Sequence, residues 1–131
     1  MEYIETTELA RLIRKALKSE FGNTIKFSVR KKSFSGGRSI SVTVKKADKK
    51  YFKTIEEFEA EYADFKLEHP QTYENIKSRF LRHDYFALNE QIMEKIDSIV
   101  NQWNWRISDP YADFDDVNYY TDIGGYKIEL I

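Results

Sequence analysis

The chain has 131 residues, 41% of them hydrophobic and 15% aromatic, which suffices for one domain, residues 1–131, around a single core. It contains no cysteine, so disulfides and thiolate metal sites are excluded, and its two histidines, fourteen positions apart, leave little for zinc. No apolar run approaches bilayer length, and the N-terminal MEYIETTELA carries acids where a signal peptide carries positive charge; a soluble, cytoplasmic protein that does not engage membranes is expected.

The net charge of −1 conceals a polarity. Residues 1–50 hold thirteen Lys and Arg against five Asp and Glu, a balance of +8, whereas residues 51–131 hold eight against seventeen, a balance of −9. Either the two regions neutralise each other on folding, or they form two surfaces of opposite field.

The first helix is predicted to start at Thr6 or Thr7, whose hydroxyls suit an N-cap, and to stop at Gly22-Asn23. Leu9, Leu12, Ile13, Ala16, Leu17 and Phe21 recur at the spacing of one helical face. Arg11, Arg14, Lys15 and Lys18 recur on another, giving a basic stripe that in most helices is only a solvated side.

Residues 25–44, IKFSVRKKSFSGGRSISVTV, read as two alternating strands joined through Gly36-Gly37. Alternation places Ile25, Phe27, Val29, Ile40, Val42 and Val44 on one face and Lys26, Ser28, Arg30, Ser41, Thr43 and Lys45 on the other. Lys31, Lys32 and Arg38 are expected at the tip, with Phe34 either exposed or tucked beneath the turn.

After a polar connection, Thr54 and Glu57 fit a capping box, opening a helix whose apolar line is Ile55, Phe58, Tyr62 and Phe65. Its remaining surface carries Glu56, Glu57, Glu59, Glu61, Asp64 and Glu68 before Pro70 interrupts. A short helix over 71–82 and a longer one over 88–103 follow by the same periodicity. The acidic DPYADFDD then leads into VNYYTDI, Gly124-Gly125 and YKIELI, which predicts a second hairpin.

The order is α-β-β-α-(α)-α-β-β. Because neither the first helix nor the first hairpin can bury its apolar face alone, the expected fold is α+β: a two-layer sandwich with helices on one face of a four-stranded, mostly antiparallel sheet. The uncovered face would then present the basic side of the first hairpin.

The helix TELARLIRKALKSEF followed by IKFSVRKKSFSGGRSISVTV, together with DFDDVNYYTDIGGY near the end, resembles the large polyvalent protein-associated domain of type 29. The positions carrying the shared motif are Ser28, Arg30, Ser33, Phe34, Ser35, Gly36, Gly37 and Ser39. The resemblance implies an accessory domain of phages and conjugative elements, found within very large proteins that act in a recipient cell and modify or resist its defences. It implies no catalytic residues.

Two binding functions from different classes fit these surfaces. In the first, Arg11, Arg14, Lys15, Lys18, Lys26, Arg30, Lys31, Lys32, Arg38 and Lys45 meet nucleic-acid phosphates while Phe34 stacks on a base. The chain pI near 6.2 stands against it. In the second, the acidic helix docks on a host or mobile-element protein, as an anti-CRISPR or anti-restriction inhibitor would by mimicking nucleic-acid charge.

An enzyme is the least expected class. Asp109, Asp113, Asp115 and Asp116 lack the spacing of a calcium loop, and the adjacent side chains of His83 and Asp84 do not face each other on a helix or strand. SFSGGRS leads into a strand, where a phosphate-binding loop leads into a helix. No catalytic residue, metal or cofactor is assigned.

Overall fold

The computed structural model describes residues 3–109 and 114–131. Helix α1 spans Thr6–Phe21, strand β1 Ile25–Phe34 and strand β2 Gly37–Ala47. Glu5, and not either threonine, caps α1: its carboxylate accepts from the backbone N–H groups of Thr7 and Glu8, and these bonds lower its pKa. At the other end Gly22, with φ +55°, donates its N–H to the Lys18 carbonyl and ends the helix where the sequence predicts.

Strands β1 and β2 form the expected antiparallel hairpin, closed by Ser35 and Gly36 with Phe34 opposite Gly37. Gly36 has φ +92°, which accounts for glycine at that turn position. Ile25, Val29, Ile40, Val42, Val44 and Ala47 point inward and bury against Leu9, Ala10, Ile13, Leu17 and Phe21 of α1. Each fully buried Leu, Ile or Val of this layer contributes about 1.5–3 kcal/mol by leaving water.

Three helices follow: α2 (Ile55–Glu61), α3 (Ala63–Glu68) and α4 (Pro70–Leu81). The capping box between Thr54 and Glu57 forms as read. The single helix predicted through Glu68 breaks at Tyr62, and Pro70 opens α4 rather than merely ending its predecessor. These helices and Ala87 of the turn after α4 enclose a satellite core with Phe58, Tyr73 and Phe80, in which the Phe58 and Phe80 rings stack with centroids 4.3 Å apart. Helix α5 (Glu90–Val100), capped by Asn89, returns Ile96 and Val100 to the main core beside α1.

Strands β3 (Arg106–Asp109) and β4 (Phe114–Val117) make a separate two-stranded antiparallel ladder. The C-terminal hairpin does not form. Both β5 (Tyr120–Gly124) and β6 (Glu129–Leu130) run parallel to β2, β5 opposite residues 39–43 and β6 opposite 46–47. The four-stranded sheet is therefore mixed, with β1 on one side of β2 and β5 followed by β6 on the other.

The backbone bonds of residues 125–128 explain why Gly124-Gly125 does not turn the chain back. Gly125 accepts from Tyr85 N–H, Lys127 N–H donates to Asp84 Oδ1, and Ile128 N–H donates to the His83 carbonyl. The segment steps out to the loop after α4 and rejoins the same edge. A Cβ on Gly125 would stand 3.0 Å from the Val44 carbonyl oxygen, so close backbone approach, not a positive φ, is what requires glycine there. No helix among the described residues is long and apolar enough to cross a membrane.

Candidate nucleic-acid interface

Helices α1 and α5 cover the inner face of the sheet, and the outer face carries the polar half of each strand. Register fixes its rows: Lys32, Ser39 and Tyr120; Arg30, Ser41 and Asp122; Ser28, Thr43 and Gly124. Lys26 and Lys45 continue it toward the far end, where a bulge between Lys26 and Phe27 shifts the register. A Cβ added to Gly124 would meet nothing within 4 Å, so the face is open there. Lys26, Arg30, Lys32 and Lys45 are exposed, and none makes an ion pair or side-chain hydrogen bond among the described residues.

One end of this face is aromatic. Phe34 and Tyr120, 44% and 52% exposed, have ring centroids 6.0 Å apart. They close over Gly37, whose Cβ would lie 3.2 Å from each ring. Phe34 is therefore not tucked beneath the turn. It stands on the solvent side, supported by a tyrosine contributed from β5.

The basic stripe of α1 lies around the edge of β1 and not on the outer face. Arg14 donates from Nη2 to the Val29 carbonyl at 2.8 Å, satisfying a group of this edge strand. Arg11 is held in an i,i+3 pair with Glu8, whose pKa falls through the hydrogen bond from the guanidinium; that of Arg11 rises. Lys15 and Lys18 remain exposed. Arg14 and Lys18 share with Lys26 a cleft of about 330 Å³ between the end of α1 and the start of β1, which links the stripe to the sheet.

Two hairpin cations have other roles. Lys31 donates from Nζ to Thr7 Oγ1 at 2.8 Å and so ties β1 to the start of α1. Arg38, expected at the exposed tip, is instead 5% exposed. It shares the inward parity of Ile40 and Val42, and its guanidinium donates to Asn118 O, Asn118 Oδ1, Ile4 O and Thr6 Oγ1 with the Tyr3 ring 4.5 Å away. These acceptors are all neutral. Arg38 is a structural clamp that cannot meet a phosphate without leaving them.

The acidic surface lies on different elements. Glu56, Glu57, Glu59 and Glu61 of α2 and Asp64 and Glu68 of α3 are exposed, and Glu57 and Glu61 meet Glu90 of α5 along a groove that also contains Lys53. Lys53 pairs with Glu61 at 3.2 Å. Among the described residues, only Lys46–Glu129 at 3.4 Å joins a cation of residues 1–50 to an acid of residues 51–131. Lys95–Glu20 at 2.7 Å crosses between the regions in the opposite sense, so the direct pairs offset only a small part of either region's charge.

His83 and Asp84 serve the fold. His83 adopts φ +62° and stacks on Phe52 with centroids 4.3 Å apart. Asp84, buried, accepts from Arg82, Arg79 and the Lys127 N–H; burial pushes its pKa up, but these bonds outweigh it and the net shift is downward. Of the aspartates weighed as metal ligands, Asp113 lies outside the described residues, whereas Asp109, Asp115 and Asp116 fall in the β3–β4 ladder. No cluster of three or more His, Asp or Glu positioned for a metal occurs among the described residues.

Tyr120 and Asp122 belong to the outer face but do not follow from reading the first hairpin alone. Their signal is the alternation of Tyr120, Asp122 and Gly124 with Thr121 and Ile123. The family model described as large polyvalent protein associated domain 29 matches residues 4–108, most of the chain, and the chain belongs to that family. The block Asp113–Tyr126, which contributed to the resemblance, lies beyond the matched residues, so Tyr120 and Asp122 do too. No curated protein and no solved structure matches the chain.

Proposed function

We propose that this member of the large polyvalent protein associated domain 29 family acts by binding nucleic acid on the open face of its sheet, without a chemical step of its own. The observation that carries the reading is the set Lys26, Arg30, Lys32 and Lys45, exposed on a sheet face and without carboxylate partners among the described residues. Same-face neighbours along a strand stand about 7 Å apart, so Arg30 and Lys32 can contact successive backbone phosphates. Lys18 and Arg14 extend the positive track around the β1 edge through the cleft they share with Lys26. The pI near 6.2 is a property of the whole chain, and it averages the cations of this face with acids elsewhere, six of them on α2 and α3.

Binding that relies on phosphate contacts falls steeply with salt. Fluorescence anisotropy with labelled oligonucleotides should show that slope, and Arg30→Glu combined with Lys32→Glu should weaken binding on the order of tenfold or more. Unchanged affinity in the double variant would remove the sheet face as the site.

The convergence of Glu57, Glu61 and Glu90 on one groove supports a second reading, in which the acidic side docks on a cationic protein of the host or the mobile element. Glu57→Lys with Glu61→Lys should then abolish capture of that partner while leaving oligonucleotide binding intact.

A further inference from the structure

The outer face holds more than charge. We infer that its occupant is a single strand of nucleic acid, with an unstacked base resting on the Phe34–Tyr120 pair; this rests on the proposed function and specifies its ligand. In a duplex the base faces are hidden within the stack, so outward-facing rings gain nothing from one. In a single strand every base offers a π-face, and stacking on an exposed aromatic is tolerant of sequence. Phe34 and Tyr120 are oriented for this use, since both stand on the solvent side of the sheet end. With centroids 6.0 Å apart at 31°, they are too close to sandwich a base between them, so it stacks on the outer side of the pair.

The surface beside the rings is also suited to a strand. The middle of the face is built from Ser28, Ser39, Ser41, Thr43 and Gly124, all small, with an open position at Gly124. Such a low-relief lane lets planar bases approach, and its hydroxyls can donate to or accept from base edges. Along one side, Arg30 and Lys32 of β1 supply charge for the backbone. Aromatic platform, small polar lane and cationic border lie side by side, a combination that discriminates single from double strands more than charge alone can.

The test compares a 12-mer of deoxythymidine, a 12-mer of uridine and a 12-base-pair duplex by anisotropy at equal salt, for the full chain and for Phe34→Leu with Tyr120→Leu. Leucine retains apolar cover over Gly37 but has no π-face, and a matching thermal melt confirms the fold. Either single strand should bind at least tenfold more tightly than the duplex, and the leucine variant should lose roughly 5- to 150-fold of that affinity while its duplex binding stays put. Duplex binding as tight as single-strand binding, or a leucine variant with unchanged affinity, overturns this inference and leaves the proposed function standing. Binding to none of the three at low salt overturns both.

Discussion

Arg38 and Asn118, eighty positions apart in the chain, are joined by two hydrogen bonds: Nε to the Asn118 carbonyl at 3.0 Å and Nη2 to its Oδ1 at 2.8 Å. Asn118 in turn donates Nδ2 to Trp103 O and its backbone N–H to Trp105 O, so one guanidinium connects the N-terminal segment, the hairpin and the turn leading into β5. Removing it leaves buried acceptors without donors.

Arg38→Ala should therefore cost about 3 kcal/mol in urea unfolding, and Arg38→Lys should recover only part of it, because an ammonium cannot reproduce the planar fork. Arg30→Ala, equally basic in sequence but exposed, should stay within about 0.5 kcal/mol of the parent. Equal losses at the two positions would contradict the clamp.

The paired glycines of the C-terminal segment should behave differently from each other. Gly125→Ala forces a methyl to within 3.0 Å of Val44 O and of Ile128, in a position fixed by three backbone bonds, and should destabilise by about 1–3 kcal/mol. Gly124→Ala faces open space and should be neutral or slightly stabilising. A symmetric cost would instead indicate the tight turn that the sequence suggests.

What could be read in the chain was whatever depends on local period. The α1 stripe, the alternation of the first hairpin and the Thr54–Glu57 box follow from spacing, and all are present, although the bulge between Lys26 and Phe27 is not legible there. The path of the last segment does not follow, because a strand added parallel to β2 and a strand folded into a hairpin show the same alternation around the same Gly-Gly. The difference lies in the bonds that join this segment to Tyr85, Asp84 and His83, forty positions upstream and more. Arg38 illustrates a different failure. Its parity with Ile40, Val42 and Val44 is visible in the sequence, but its charge argues for solvent, and only Asn118, Thr6 and the Ile4 carbonyl make an inward guanidinium affordable.

Asp84 gives stability a defined pH dependence. Its folded pKa lies below the ordinary value of 3.8, so the folded state favours the carboxylate. The contribution is full above that ordinary value and is lost as pH falls through the depressed folded one. Asp84→Asn should lower the melting temperature at pH 7, and the gap between parent and variant should close as the buffer is taken from pH 5 toward pH 2. A gap that does not change over this range would mean that the Arg82, Arg79 and Lys127 bonds do not depend on the carboxylate's charge.

Asp122 is an exposed acid set among the cations of the outer face, in register with Ser41 and in the same row as Arg30. A phosphate passing over that row meets repulsion that its neighbours do not impose, which limits how tightly a backbone can settle there. Asp122→Lys removes the repulsion and adds a contact. Because the side chain is exposed, the fold should be unaffected, while the affinity for single strands should rise severalfold and the slope of log K against log salt should steepen by about one. Anisotropy titrations between 50 and 200 mM salt (about the range over which such slopes are read) measure both. A tighter complex with an unchanged slope would place the gain somewhere other than the phosphates, and a weaker one would make Asp122 a direct acceptor for base-edge amines, so that the carboxylate belongs under the bases and not beside the backbone.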